Sequence, residues 1–144
     1  MSSQAAPAPR LKLVLVDDHD GARDALVRRL STDTRITVVG ATASLEAALE
    51  IARGHEPHVA LVDTRRQDEQ GLQIVSALAA LPEAARPLVV VYTSFFDADD
   101  WRRSHLAGAR EWLLKQIIDV DVLYARLTEA VKRGLPACRW DGVR

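Results

Sequence analysis

From Leu11 onward the chain alternates five short aliphatic runs with five longer stretches whose apolar residues recur three and four positions apart. Short β-branched runs read as strands and the wider spacing reads as amphipathic helix, so the pattern predicts a (βα)5 chain. The expected strands are Leu11–Val16, Ile36–Ala41, Val59–Val62, Leu88–Tyr92 and Glu111–Leu114. Their nearly unbroken apolar character suits a parallel sheet covered on both faces. The expected helix stripes are Ala22, Leu26 and Leu30; Leu45, Ala48, Leu49 and Ala52; Ile74, Leu78 and Leu81; Trp101, His105 and Leu106; and Val120, Leu123, Leu127, Ala130 and Val131. Right-handed crossovers then favour a doubly wound, flavodoxin-like α/β sheet of strand order 2-1-3-4-5.

Local punctuation supports these elements. Ser44 offers half of a capping box, Gly54 and Gly134 follow basic residues as helix C-termini do, and Asp97, Asp99 and Asp100 suit the start of the fourth helix. Pro82 and Pro87 bracket the entry to the fourth strand. At 144 residues the chain has room for one domain, expected over residues 11–134. Met1 to Pro9 lacks both a basic cluster and an apolar stretch, so residues 1–10 read as a flexible arm, not a secretion signal. Residues 135–144 read as a disordered tail, with docking of Trp140 on the domain or a partner as the alternative.

Composition narrows the function. Hydrophobic residues at 48% and charged residues at 27% are ordinary for a globular protein. No apolar run reaches the roughly 18 residues needed to span a bilayer, which argues for a cytoplasmic protein. The net charge of −1 provides no footprint for direct nucleic-acid binding. Cys138 is alone, which excludes an internal disulfide and a thiolate-rich metal site. Neither a dinucleotide-binding glycine motif nor a P-loop follows any strand.

In a doubly wound sheet, ligands bind beyond the carboxyl ends of the strands. Asp17 and Asp18 follow the first strand, Asp63 ends the third, Thr93 and Ser94 end the fourth, and Lys115 ends the fifth. Three carboxylates gathered on one edge repel unless a cation joins them, and Mg²⁺ is the natural choice because it also engages phosphate oxygens. With a lysine and a hydroxyl beside them, the set suits phosphoryl transfer, with Asp63 as the nucleophile. His19, His55, His58 and His105 lack ligand spacing and read as structural or surface residues.

The run Val14-Leu15-Val16-Asp17-Asp18-His19, followed by Arg23, resembles the receiver domains of bacterial two-component response regulators, in particular the NarL/LuxR group. Asp63 and Thr93 are thirty residues apart, Thr93 and Lys115 twenty-two, and Gly71 stands where the family closes the loop after its phosphoacceptor. The resemblance covers Leu11 to about Gly134. It implies a phosphoprotein modified on Asp63 by a sensor histidine kinase or phosphotransfer protein, and not an enzyme beyond its own phosphoryl transfer and slow autodephosphorylation. It implies direct Mg²⁺ ligation by Asp18, Asp63 and the backbone carbonyl of Arg65, with Asp17 acting mainly through water. Thr93 and Lys115 would hold the phosphoryl oxygens. Thr93 and Trp112 would form a switch, remodelling the face of the fourth helix, fifth strand and fifth helix for a downstream protein partner or a second copy of the chain.

Three positions depart from that pattern. Arg66 and Gln67 replace the usual Met-Pro, and Gln116 replaces the proline after the lysine; Arg65 and Phe95 occupy two positions that vary in the family, and Arg65 could lie over the pocket entrance. A non-proline cis bond costs about 2.5–4 kcal/mol, so Lys115–Gln116 is expected to be trans, with an altered start to the last helix. These departures motivate a second reading, a receiver-like interaction module that works without phosphorylation. An aspartyl-nucleophile phosphatase is disfavoured because Arg65 stands where its second acid would be. Ten residues after Gly134 are too few for a helix-turn-helix, so the chain is expected to be either a single-domain regulator or a piece of a longer one.

Overall fold

The computed structural model describes residues 10–116 and 119–140. Its elements run β1 (Leu11–Val16), α1 (Asp20–Leu30), β2 (Ile36–Thr42), α2 (Leu45–His55), β3 (Val59–Val62), α3 (Gly71–Ala79), β4 (Leu88–Thr93), α4 (Ala98–Ala107), β5 (Glu111–Leu114) and α5 (Val120–Gly134). The strands pair in parallel in the order β2-β1-β3-β4-β5, as the alternation requires. Each strand begins and ends within one residue of its expected position.

Strand pleating splits the core into two layers. Leu11, Leu13, Leu15, Val59, Leu61, Leu88, Val90 and Leu113 join one layer with Leu30 of α1 and Leu123, Leu127 and Val131 of α5. Their neighbours Val14, Val16, Ala60, Val62, Val89 and Val91 join the other with Ala48 and Ala52 of α2 and Ile74, Val75 and Leu78 of α3. This parity carries past the strand ends. Asp17, Asp63 and Lys115 continue the positions of the first layer.

Several helix ends follow local chemistry. Ser44 Oγ accepts from the Ala47 N–H, and Asp97 accepts from the N–H groups of Asp99 and Asp100, satisfying donors that a helix start leaves open. Gly54 does not end its helix: α2 continues to His55, and Glu56 takes the left-handed conformation at φ 49°. In α4 the expected stripe is only partly correct. Leu106 is 80% exposed and His105 lies outside the core, while Ser104 is buried in their place. The Lys115–Gln116 bond is trans. The altered helix start expected there falls partly on residues 117–118, outside the described residues; Asp119 caps α5 by accepting from the Asp121 N–H.

The expected disordered tail is corrected over residues 135–140. The chain turns under the amino edge of the sheet, forms a 3-10 turn at Ala137–Arg139 and buries Trp140 to 1% exposure in the first core layer. The indole meets His58 edge to face, with centroids 4.9 Å apart. Arg139 donates to the carbonyls of Glu83, Arg86 and Pro57 at 2.7, 2.8 and 3.1 Å, tying the tail to the connections entering β3 and β4. A lone tryptophan near a chain end has no periodicity to announce its burial, so sequence pattern alone misses it. Residues 1–9 and 141–144, the rest of the arm and tail, lie outside the described residues.

Trp140→Ala is expected to lower unfolding stability by about 3–5 kcal/mol, the usual cost of deleting a buried large aromatic. A urea transition with unchanged slope and a lower midpoint would establish it; a loss below about 1 kcal/mol would mean that the indole is peripheral.

Candidate functional site

Backbone ladder bonds at the strand ends place the acidic residues. The Asp17 N–H donates to the Thr42 carbonyl at 3.0 Å, the Asp63 N–H to Val16 at 2.9 Å and the Lys115 N–H to Thr93 at 2.7 Å. Each residue is therefore held by the neighbouring strand while its side chain leaves the sheet edge. Lys115 Nζ donates to Asp63 Oδ2 at 2.6 Å and to Asp17 Oδ2 at 2.9 Å, bridging the two buried carboxylates. The Arg23 guanidinium donates to the Asp17 carbonyl at 2.7 Å and anchors the turn into α1.

Titration reflects this geometry. Burial alone would raise the pKa of Asp17, but the His19 backbone N–H and hydrogen bonds from Lys115 and the His19 ring outweigh it and hold Asp17 below the usual carboxylate value. Burial would lower Lys115, but its bonds to Asp63 and Asp17 raise it instead. At neutral pH Lys115 remains a cation and Asp17 an anion.

Asp18 is less well compensated. Its Oδ2 accepts from the Gln67 N–H at 3.2 Å, while Oδ1 is buried without a hydrogen bond. Thr93 is fully buried at the end of β4, and its Oγ1 also lacks a partner. A carboxylate oxygen in need of a cation and a hydroxyl in need of an acceptor are what a pocket for a divalent ion and a phosphoryl group would supply. The residues therefore fit Mg²⁺.

One reading of the histidines is corrected. His19 joins the cluster, its Nδ1 lying 2.9 Å from Asp17 Oδ1, 3.2 Å from Asp18 Oδ1 and 3.6 Å from Asp63 Oδ2. Its contact with Asp17 raises its pKa. Adjacency to the Asp pair was the available signal, and the orientation of the ring at the entry to α1 was not legible from it.

The departing loop has its own bonding. The Arg65 N–H donates to Asp63 Oδ1 at 2.8 Å, while its guanidinium stacks 3.7 Å from the Phe95 ring centre and donates to Asp100 at 3.0 Å. Arg65 thus spans from the β3–α3 loop to the start of α4. Arg66 reaches the Ala43 carbonyl at 2.6 Å and chelates Asp68 at 2.8 and 2.9 Å, tying the same loop to the β2–α2 connection. Gly71 is required by close approach: a Cβ there would stand 2.5 Å from the Thr64 carbonyl oxygen. The Gln116 side-chain amide donates to the Ser94 carbonyl, a bond proline could not make.

Trp112 is half-buried in the second core layer, edge-on to Phe96 at 5.3 Å and Trp101 at 5.7 Å. Thr93 and Trp112 lie on adjacent strands, with Thr93 paired to Leu114 and Trp112 to Val91. Beside the acidic edge an apolar cavity of about 250 Å³ opens between α1 and α5, lined by Ala22, Leu26, Tyr92 and Leu123 and ending on Asp17 and Lys115.

This sheet order, with an acidic edge bridged by a lysine, defines a receiver-type signalling domain. Residues 13–128 match the response regulator receiver domain, and the chain belongs to that family. It is 30% identical over 115 residues to the DNA-binding transcriptional activator DevR/DosR of Mycobacterium tuberculosis, covering 80% of this chain and 52% of that protein. It is 30% identical over 113 residues to the response regulator VraR of Staphylococcus aureus, covering 78% and 53%. The chain thus spans about half the length of these relatives. The receiver domain of the response regulator NarL from Mycobacterium tuberculosis superposes with a TM-score of 0.71 at 30% identity, over 88% of this chain and 98% of that one. Receiver domains are not enzymes in the ordinary sense. Among the described residues no helix is long and apolar enough to cross a membrane.

Three carboxylates share this edge, and Lys115 bridges Asp17 and Asp63 but not Asp18, whose Oδ1 accepts no hydrogen bond. Asp18→Asn is expected to raise the stability of metal-free protein by about 1 kcal/mol, the scale of one close charge interaction. Melting in chelator checks it, and added Mg²⁺ should narrow the difference because only the wild type gains the full carboxylate ligand set.

Proposed function

We propose that this receiver domain accepts a phosphoryl group on Asp63 from a histidine kinase or phosphotransfer protein, with Mg²⁺, in the cytoplasm. The observation that carries the reading is the Lys115 bridge between Asp63 and Asp17, beside Asp18, whose buried Oδ1 accepts no hydrogen bond. Asp18, Asp63 and the Arg65 carbonyl would hold Mg²⁺ directly and Asp17 chiefly through water; the bound ion would offset carboxylate and phosphoryl charge. An Asp63 carboxylate oxygen forms the new bond to phosphorus while the bond to the donor group breaks, and the donor group leaves with that electron pair. Lys115 then exchanges a carboxylate contact for a phosphoryl oxygen, and the buried Thr93 hydroxyl gains the acceptor it lacks.

Output follows from the same groups. Thr93 moving toward the phosphoryl group opens space beside Trp112, and the ring's contacts with Phe96 and Trp101 transmit the change to the β4–α4 connection and the first turn of α4. The α4-β5-α5 face offers a protein partner the exposed Leu106 and a charged edge, where Glu111 pairs with Arg126 at 3.7 Å and Arg133 at 3.6 Å.

Incubation with phosphoramidate or acetyl phosphate and Mg²⁺ is expected to add one phosphoryl group, read by intact-protein mass, and Asp63→Asn is expected to abolish it. Wild-type protein that stays unmodified would overturn this reading and leave a phosphorylation-independent interaction module in its place.

A further inference from the structure

The spacing around His19 is that of a coordination shell. In an octahedral site with metal–ligand bonds near 2.1 Å, neighbouring ligand atoms stand about 3 Å apart. His19 Nδ1 lies 2.9 Å from Asp17 Oδ1 and 3.2 Å from Asp18 Oδ1, with Asp63 Oδ2 at 3.6 Å. The Asp18 contact has this spacing without hydrogen-bond geometry, since that buried oxygen accepts none among the described residues. Lys115 occupies Asp17 Oδ2 and Asp63 Oδ2, which leaves Asp17 Oδ1 and Asp18 Oδ1 facing the imidazole.

The ring is also placed firmly. The His19 N–H donates to Asp17 Oδ1 at 2.9 Å, and the His19 carbonyl accepts from the Arg23 N–H at 2.9 Å as α1 begins. About half of the side chain is exposed, so the ring can tilt by the few tenths of an ångström that ligation requires. Nδ1 is hydrogen-bonded to Asp17 Oδ1 at 2.9 Å in the metal-free site, so ligation replaces that bond and leaves the ring proton on Nε2.

We propose that His19 Nδ1 is an additional metal ligand and gives the pocket a preference for divalent ions that accept nitrogen more readily than Mg²⁺, namely Zn²⁺ and Co²⁺ and, to a smaller degree, Mn²⁺. Mg²⁺ takes oxygen ligands and gains little from an imidazole, whereas first-row transition ions and zinc bind imidazole well. The inference rests on the reading of this pocket as a divalent-ion site for phosphoryl transfer, and deepens it by naming the residue that selects the ion.

The test measures Mn²⁺ binding to the full chain by electron paramagnetic resonance, with Mg²⁺ as competitor, in wild type, His19→Asn and His19→Ala. The ratio of Mn²⁺ to Mg²⁺ affinity is expected to fall on the order of tenfold in both variants, the scale on which perturbing a metal site lowers affinity. Mg²⁺ affinity itself should change little. Pulsed resonance of Mn²⁺ on the wild type should show a directly coordinated imidazole nitrogen, a readout that needs no variant to fold. An unchanged ratio, or a wild-type spectrum without the nitrogen, would overturn the proposal and reduce His19 to an imidazolium paired with the carboxylates; Mg²⁺-dependent phosphorylation of Asp63 would then still stand. A wild type that binds neither ion would overturn both readings.

Discussion

The convergence of Asp17, Asp18 and Asp63 on one sheet edge is the constraint to which the rest of the site responds. Parallel pairing of β1 with β3 forces the first and third strands to end side by side, so the acids that follow them meet whatever the loops do. Like charges at that distance cannot be left alone. Lys115 answers from the far strand, two places along the sheet, and its position depends on β4 lying between. The site is thus assembled by sheet order, and the cation that stabilises it reports that the order is correct.

A second set of contacts holds the opposite end of the sheet. Trp140 and Arg139 fold back beneath β3 and β4, one supplying apolar volume and the other hydrogen bonds to exposed carbonyls. Loops at the acidic edge can then carry charged residues such as Arg65 and Arg66 without bearing the weight of the core. At this edge Arg65 stacks on Phe95 and pairs with Asp100, joining the β3–α3 loop after Asp63 to the first turn of α4 by a ring face and an ion pair.

Much of this was legible in the sequence because it is written in short-range periodicity. Alternating strands and stripes decided the (βα)5 order, and strand parity places Asp17, Asp63 and Lys115 in the same layer as Leu15, Leu61 and Leu113. Ser44 and Asp97 announced their caps because a cap is a contact between residues two or three apart. What tertiary structure alone decided are contacts between residues far apart in the chain or set by one rotamer. Trp140 finds its cavity beside His58, Arg65 finds Phe95, and the His19 ring turns into the acids instead of toward solvent. No local pattern encodes these, because each depends on a surface that exists only after the sheet has closed against its helices.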